Sequence, residues 1–340
     1  MGVLDVERDP LSWQQTRDVI ITNTTAASLS VIGSFLVILA YFLQHSSKYK
    51  QTLFHLIVCL AFADFCASAT IVISSVTLLS LPSGTSMSVC IGYRAVIHYF
   101  YLASFCWTVF ISLHLYRSAS QKPDYDRLYW IYHGISWIVP AIFVATLIGT
   151  GNIVQMAPQG GHSMWCHVNP REVWYFWFIP LILSMVISIV LYALTLSRYY
   201  QIRSGQITIS IKASHFNIQK RISFFILTFI FCWLWDIIQH VIPYDEDKPI
   251  FAIAIVHAIF VPLQGFLNCL LYGFSSNLIN LRTLMCMKKR PKPLHFGERA
   301  PLMNSVSSSY RNNMQKEGLS SSGYYAGWSR DNTDGELSSL

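Results

Sequence analysis

Arg94 and His98 lie four residues apart in one apolar stretch, and Asp236 and His240 repeat that spacing in another. His257 and Asp64 stand singly in two more. Four-residue spacing places each pair on one face of a helix. A charge at mid-bilayer costs about 2.5–3.5 kcal/mol on insertion scales, so such groups face a bundle interior. Because successive stretches run in opposite directions, Arg94, His98, Asp236, His240 and His257 all fall toward the outer end of a closed bundle. As a set they suit the lining of a pocket for a polar or anionic ligand. Interhelical hydrogen bonding, or snorkelling of Arg94 to the interface, is the competing reading of each one. Asp64 lies deeper, which suits structure or activation better than ligand contact.

Other chemistries require residues that this sequence lacks. A retinal protein needs a lysine in its last helix, and residues 250–274 contain none. A metal-dependent membrane hydrolase needs clustered ligands, yet the eleven His include no His-x-x-x-His pair. There is no G-x-S-x-G elbow, phosphate-binding loop or Cys-x-x-Cys pair. No catalytic residue, metal or cofactor is expected, and the chain does not read as an enzyme.

The stretches that carry these residues dominate the chain. Hydrophobic residues make up 53% of the 340 and charged residues 12%, about half the usual charged share. That balance excludes two soluble domains. A helix needs about 20 mainly apolar residues to cross roughly 30 Å of hydrocarbon. Seven segments qualify: Ala26–Leu43, Leu53–Leu79, Cys90–Tyr116, Leu128–Gly149, Val173–Ser197, Ile222–Ile242 and Ile250–Phe274. The expected fold is an all-α membrane protein, a seven-transmembrane helix bundle over 23–275. A short extracellular N-terminus (1–22) precedes it. The first eighteen residues lack the apolar core of a cleavable signal peptide, so targeting falls to the first span.

Nineteen of the 24 Lys and Arg lie on one side of these spans. By the positive-inside rule the N-terminus faces out and the tail faces the cytoplasm, at the plasma membrane. The net charge of +7 therefore speaks for membrane lipid rather than nucleic acid. The third inner loop with its flanks carries Arg198, Arg203, Lys212, Lys220 and Arg221 and no acidic residue. Lipid headgroup contact explains such a loop, and so does docking of an acidic cytosolic partner. Beyond the last span, Leu278, Leu281, Leu284 and Met285 form a helical stripe followed by Lys288, Lys289 and Arg290. This reads as a short amphipathic helix on the inner leaflet (276–290). Cys286 stands where a palmitoyl group would anchor it, or remains a free thiol. Residues 291–340 are polar, with ten Ser after position 300, and read as a disordered cytoplasmic tail.

Of the eight Cys, Cys59, Cys66, Cys106, Cys232 and Cys269 lie within spans and read as small buried hydrophobes. Cys90 and Cys166 alone face an oxidising compartment, so they are expected to pair and pin the second outer loop across the bundle mouth. Asn23-Thr24-Thr25 is an N-glycosylation sequon close to the membrane surface.

Several runs resemble the cyclic-AMP-receptor-like family, known from slime moulds with relatives in plants, fungi and animals. They are YLASFCWTVFISLHLYR ending at Arg117, the His133/Trp137/Pro140 pattern of WIYHGISWIVP, MWCHV around Cys166, and Cys232-Trp233. LQGFLNCLLYGF, with Gln264, Asn268 and Tyr272, also shares a Gln-Gly-Phe run with secretin-like receptors. The similarity covers about Ala26–Phe274. Neither D-R-Y nor N-P-x-x-Y is present, which separates the chain from rhodopsin-like receptors. The resemblance implies a G-protein-coupled receptor that binds an extracellular ligand in the outer half of the bundle. It would activate a heterotrimeric G protein, with cyclic-AMP signalling as the pathway. Coupling would involve His114 through Arg117, the third inner loop, and Lys220 and Arg221. Asp64, Trp233, Asn268 and Tyr272 would serve activation or structure. A small-molecule transporter and a non-signalling scaffold are the alternatives.

Overall fold

The computed structural model describes residues 12–43, 48–80, 86–120, 125–156, 165–204, 213–241 and 251–275. Four long helices open the chain: α1 (Trp13–Leu43), α2 (Lys48–Ser80), α3 (Met87–Ala119) and α4 (Tyr125–Gly149). A hairpin of β1 (Ile153–Met156) and β2 (Trp165–Val168) follows. The fifth span is composite: α5 (Pro170–Val173), a π-helical turn over Trp174–Phe178, then α6 (Ile179–Arg203). The sixth span is α7 (Ala213–Val241). The seventh is broken into α8 (Phe251–Phe260) and α9 (Gln264–Ser275), bent by 44°. Among the described residues, six helices are each long and apolar enough to cross a membrane, and the bent pair, taken as one span, makes seven.

The surface is inverted relative to a soluble fold. Ile32, Phe35, Ile138, Ile142, Leu183 and Val190 are all exposed, an extent of apolar surface that marks a lipid-facing exterior. The interior holds the polar residues Ser30, Ser34, Asp64, Ser104, Gln264 and Asn268. Helix α3 is the hub, packed against α2, α4, α6, α7 and both strands of the hairpin. Trp107, Tyr132, Leu56 and Ile111 fill one half of the core. Tyr101, Phe105, Trp177, Phe229 and Trp233 fill the other.

Three departures from the sequence expectations have local causes. Helix α1 starts at Trp13, well before the apolar run, because Thr16 and Ile20 continue its buried stripe. At 1.5 Å per residue its 31 residues reach about 46 Å, past the hydrocarbon. The Asn23 sequon consequently lies within a helix, and the Thr25 hydroxyl donates to the Ile21 carbonyl at 2.8 Å. The hairpin is the second departure, an addition to an otherwise helical fold. Its entry is a glycine-ended helix cap. Gly151 has φ of 68°, Gly151 N–H donates to Ile148 and Asn152 N–H to Leu147, the pattern that closes a helix through a left-handed residue. The third is the break before Gln264, explained by Pro262, which has no N–H to continue the ladder.

The amphipathic stripe, Cys286 and the tail fall outside the described residues, as does Lys212.

Candidate functional site

The hairpin packs against the start of α3 at one end of the bundle. Cys90 at the start of α3 is joined to Cys166 in β2, with Cα atoms 5.7 Å apart. Cys166 pairs with Gln155 across the hairpin and its neighbour His167 with Val154. Both half-cystines are buried, beside Ala95, Leu147, Ile153 and Val168.

Below this cap, Asp236 of α7 is 3% exposed. Its carboxylate accepts from Trp177 Nε1 at 2.7 Å and from His257 Nε2 of α8 at 3.0 Å. His240 Nδ1 lies 3.6 Å from the same carboxylate and donates to the Asp236 backbone carbonyl at 2.9 Å. Asp236 thus ties the fifth, sixth and seventh spans together. Arg94 is close enough to interact electrostatically with Asp236 and with Tyr101. The five residues that spacing selected lie toward one end of the bundle, with His98 linked to Asp236 through the Trp177 ring.

Pro180 explains how His98 is held. Lacking an N–H, it cannot close the helical turn on Phe176, and the Phe176 carbonyl accepts from His98 Nε2 instead, at 3.0 Å. A carbonyl only accepts, so the Nε2 carries the proton and the neutral ring presents Nδ1 as an acceptor. The π-helical turn just before Pro180 aims Trp177 inward, against His98 at 4.7 Å between ring centres.

Among the described residues, three buried polar atoms on this face of α3 have no hydrogen-bond partner: Arg94 Nε, His98 Nδ1 and the Tyr101 hydroxyl. Their positions, four and then three residues apart, form one stripe. A buried polar atom left unmade costs about 1–3 kcal/mol. A ligand that accepts from Arg94 and donates to His98 would recover that energy.

A second polar network lies at mid-bundle. Asp64 of α2 accepts from Ser104 Oγ at 2.9 Å, from Gln264 Nε2 at 3.3 Å and from Asn268 Nδ2 at 3.1 Å. Trp233 Nε1 donates to Gln264 Oε1 at 2.5 Å. The break before Gln264 puts its side chain at the start of α9, facing three other helices. Trp233 also contacts Trp177, ring centres 5.6 Å apart. The Asp236 cluster and the Asp64 network are therefore joined through two indoles.

Trp177, Tyr101, Ser104 and His167 carry this arrangement and were not singled out by spacing. For His167, adjacency to Cys166 was the available signal. Burial, with Arg94 and His240 nearby, pushes His167 down to about 4. An unfolded histidine takes up its proton near pH 6.5, whereas the folded one does so only near 4. The unfolded state therefore binds more protons between those values, and stability is lost as pH falls from 6.5. His167→Gln is expected to flatten the fall in melting temperature between pH 6.5 and 4. An unchanged pH profile would contradict this placement.

At the far end, His114 and Arg117 lie in the last turns of α3. Arg198 Nη1 donates to Gln201 at 3.4 Å on α6, which also contains Arg203. Lys220 and Arg221 belong to α7, and Tyr272 to α9.

Seven membrane-length spans around buried ionic clusters define a multi-pass membrane protein of the seven-span class. The family model described as the slime mold cyclic AMP receptor matches residues 13–288, and the chain belongs to that receptor family. Cyclic AMP receptor-like protein C of Dictyostelium discoideum is 30% identical over 237 residues, covering 66% of this chain and 64% of its own length. Cyclic AMP receptor 4 of the same organism is 26% identical over 74% of this chain and 55% of its own. G-protein coupled receptor 157 of Mus musculus is 25% identical over 83% of this chain and 88% of its own. The chain thus spans between 55% and 64% of the length of these two slime mold relatives.

Proposed function

We propose that this chain is a plasma-membrane G-protein-coupled receptor whose hairpin end faces outside and binds a polar or anionic ligand. The observation that carries the ligand reading is the stripe of unpartnered atoms on Arg94, His98 and Tyr101 beside Asp236. The opposite distribution of Lys and Arg supports the orientation, with the basic segments at the cytoplasmic face. Relatives named as cyclic AMP receptors make a cyclic nucleotide the first ligand to try. An anion seated on Arg94 weakens its attraction to Asp236. That loosens the tie between the fifth, sixth and seventh spans and, through Trp177 and Trp233, the Gln264–Asp64 network. Ligand binding then shifts the population between two helix packings.

The partner in this reading is a heterotrimeric G protein, docking near Arg117 and the basic segment between α6 and α7. Neutralising Arg198, Arg203, Lys212, Lys220 and Arg221 together is expected to abolish nucleotide exchange on added G protein without reducing the amount of folded receptor in the membrane. Normal exchange by that variant would overturn the docking role.

A further inference from the structure

At the end of the bundle away from the hairpin, three metal-ligating side chains meet that the ligand reading does not use. His55 and Cys59 of α2 are four residues apart on one helix face, and His133 comes from α4. One donor atom from each lies within 4.8 Å of the other two. The two imidazole Nε2 atoms are 3.2 Å apart. Two nitrogens bound at 2.0–2.1 Å to a tetrahedral zinc ion stand about 3.3 Å apart, so this edge of the polyhedron is already in place. A 2.3 Å Zn–S bond requires an edge of roughly 3.6 Å between sulfur and nitrogen, and the Cys59 sulfur lies within 4.8 Å of a donor nitrogen of each histidine. Tyr129 Oη lies 2.8 Å from His55 Nε2, a hydrogen bond that a metal on this nitrogen would replace.

The surroundings also match those of a metal ligand set. Metal-bound histidines hold their other ring nitrogen with an outer hydrogen-bond partner, which fixes tautomer and orientation. His55 Nδ1 faces Tyr41 Oη of α1 at 3.3 Å. The ring of His133 packs edge-on against Trp107, centres 4.8 Å apart. Cys59 is buried and both histidines are half-buried, so the donors are positioned by packing. A thiolate with two imidazoles selects a borderline-soft ion, Zn²⁺, over Mg²⁺ or Ca²⁺.

We propose that His55, Cys59 and His133 form a zinc site that clamps α2 to α4. Binding releases the Cys59 thiol proton to solvent as the metal–sulfur bond forms, with no change of oxidation state, so affinity falls as pH is lowered. None of its three ligands belongs to the ligand pocket or to the residues proposed for G-protein docking.

Co²⁺ is the probe that tests it, added to full-length protein in lipid nanodiscs after chelation. The expected result is one Co²⁺ per chain, showing a thiolate-to-cobalt charge-transfer band and the strong visible bands of tetrahedral coordination. Zn²⁺ should displace it. Cys59→Ser should lose the charge-transfer band while Cys66→Ser keeps it, and Tyr41→Phe should weaken binding by about 10–100-fold. A wild-type spectrum without the thiolate band, or a band that survives Cys59→Ser, would overturn the site. Should Cys59→Ser not fold, alkylation of wild-type protein decides. Zn²⁺ is expected to protect Cys59 and not Cys66, and equal labelling with and without Zn²⁺ would refute the proposal.

Discussion

Gly33→Leu is expected to leave no folded receptor, and Gly33→Ala to lower stability by about 1–3 kcal/mol, the usual range for overpacking. A Cβ at Gly33 would lie 2.7 Å from the Phe266 Cα of α9 and 3.2 Å from the Cys269 Cβ. The first of these neighbours is backbone, so relief requires α1 and α9 to separate. Small residues at interhelical contacts allow backbones to approach where lipid supplies no hydrophobic drive. Ala26, Ala27, Ser30 and Ser34 continue that buried small-residue face along α1. Across the contact, a Cβ on Gly265 would collide with the Ser30 and Ser34 hydroxyls. Separation would pull Gln264 and Asn268 from Asp64, so the damage reaches the mid-bundle network. Gly92 and Gly134 meet nothing within 4 Å. Alanine there is expected to be neutral or to stabilise by up to about 1 kcal/mol through helix propensity. Melting of the three alanine variants in one detergent checks the contrast. Equal melting temperatures would mean that α1 and α9 are not in this close contact.

Asp236→Ala should be the most damaging single change in this cluster, by about 3–5 kcal/mol, because it leaves buried partners without their counter-charge. Trp177 Nε1 loses its acceptor, His257 Nε2 the carboxylate oxygen 3.0 Å away, and Arg94 the attraction of an opposing charge. Asp236→Asn is the informative companion. It keeps an acceptor for Trp177 and the side-chain volume while deleting the charge. Asn should therefore recover part of the melting temperature but not the response to an anionic ligand, since Arg94 would then hold that ligand in both packings. If Asp236→Ala melts with the wild type, the carboxylate is not the tie between the fifth, sixth and seventh spans.

The spans were legible because hydropathy over about 20 residues is a strong signal in a chain with so few charges. The start of α1 was not. Arg17 and Asp18 interrupt the apolar run, yet both are exposed and a helix tolerates them beyond the hydrocarbon. Charges inside the spans were equally legible, since each had to face the interior. Arg94, His98, Asp236, His240 and His257 were found that way.

Their partners were hidden for particular reasons. Trp174 to Phe178 are all aromatic, so no residue stands out. The π-helical turn beside Pro180 decides that Trp177 points inward, and a change of helical register leaves no periodic trace. Gln264 owes its place to the break at Pro262, a tertiary consequence of one missing donor. His55 and His133 are 78 residues apart, so spacing within one segment cannot pair them. Cys59, which reads as a small apolar residue, gains its chemistry only from a second helix. The pairing of Cys90 with Cys166 was the exception among distant contacts, because elimination by compartment left one partner for each.

The most direct test reconstitutes the full-length chain in nanodiscs with a purified heterotrimeric G protein. Nucleotide exchange is followed while cyclic AMP and a panel of other small anions are added. One of these anions is expected to accelerate exchange on the wild type and to fail on a folded Arg94→Gln variant. No acceleration by any of them, together with accumulation of one inside sealed vesicles bearing the protein, would contradict the receptor reading.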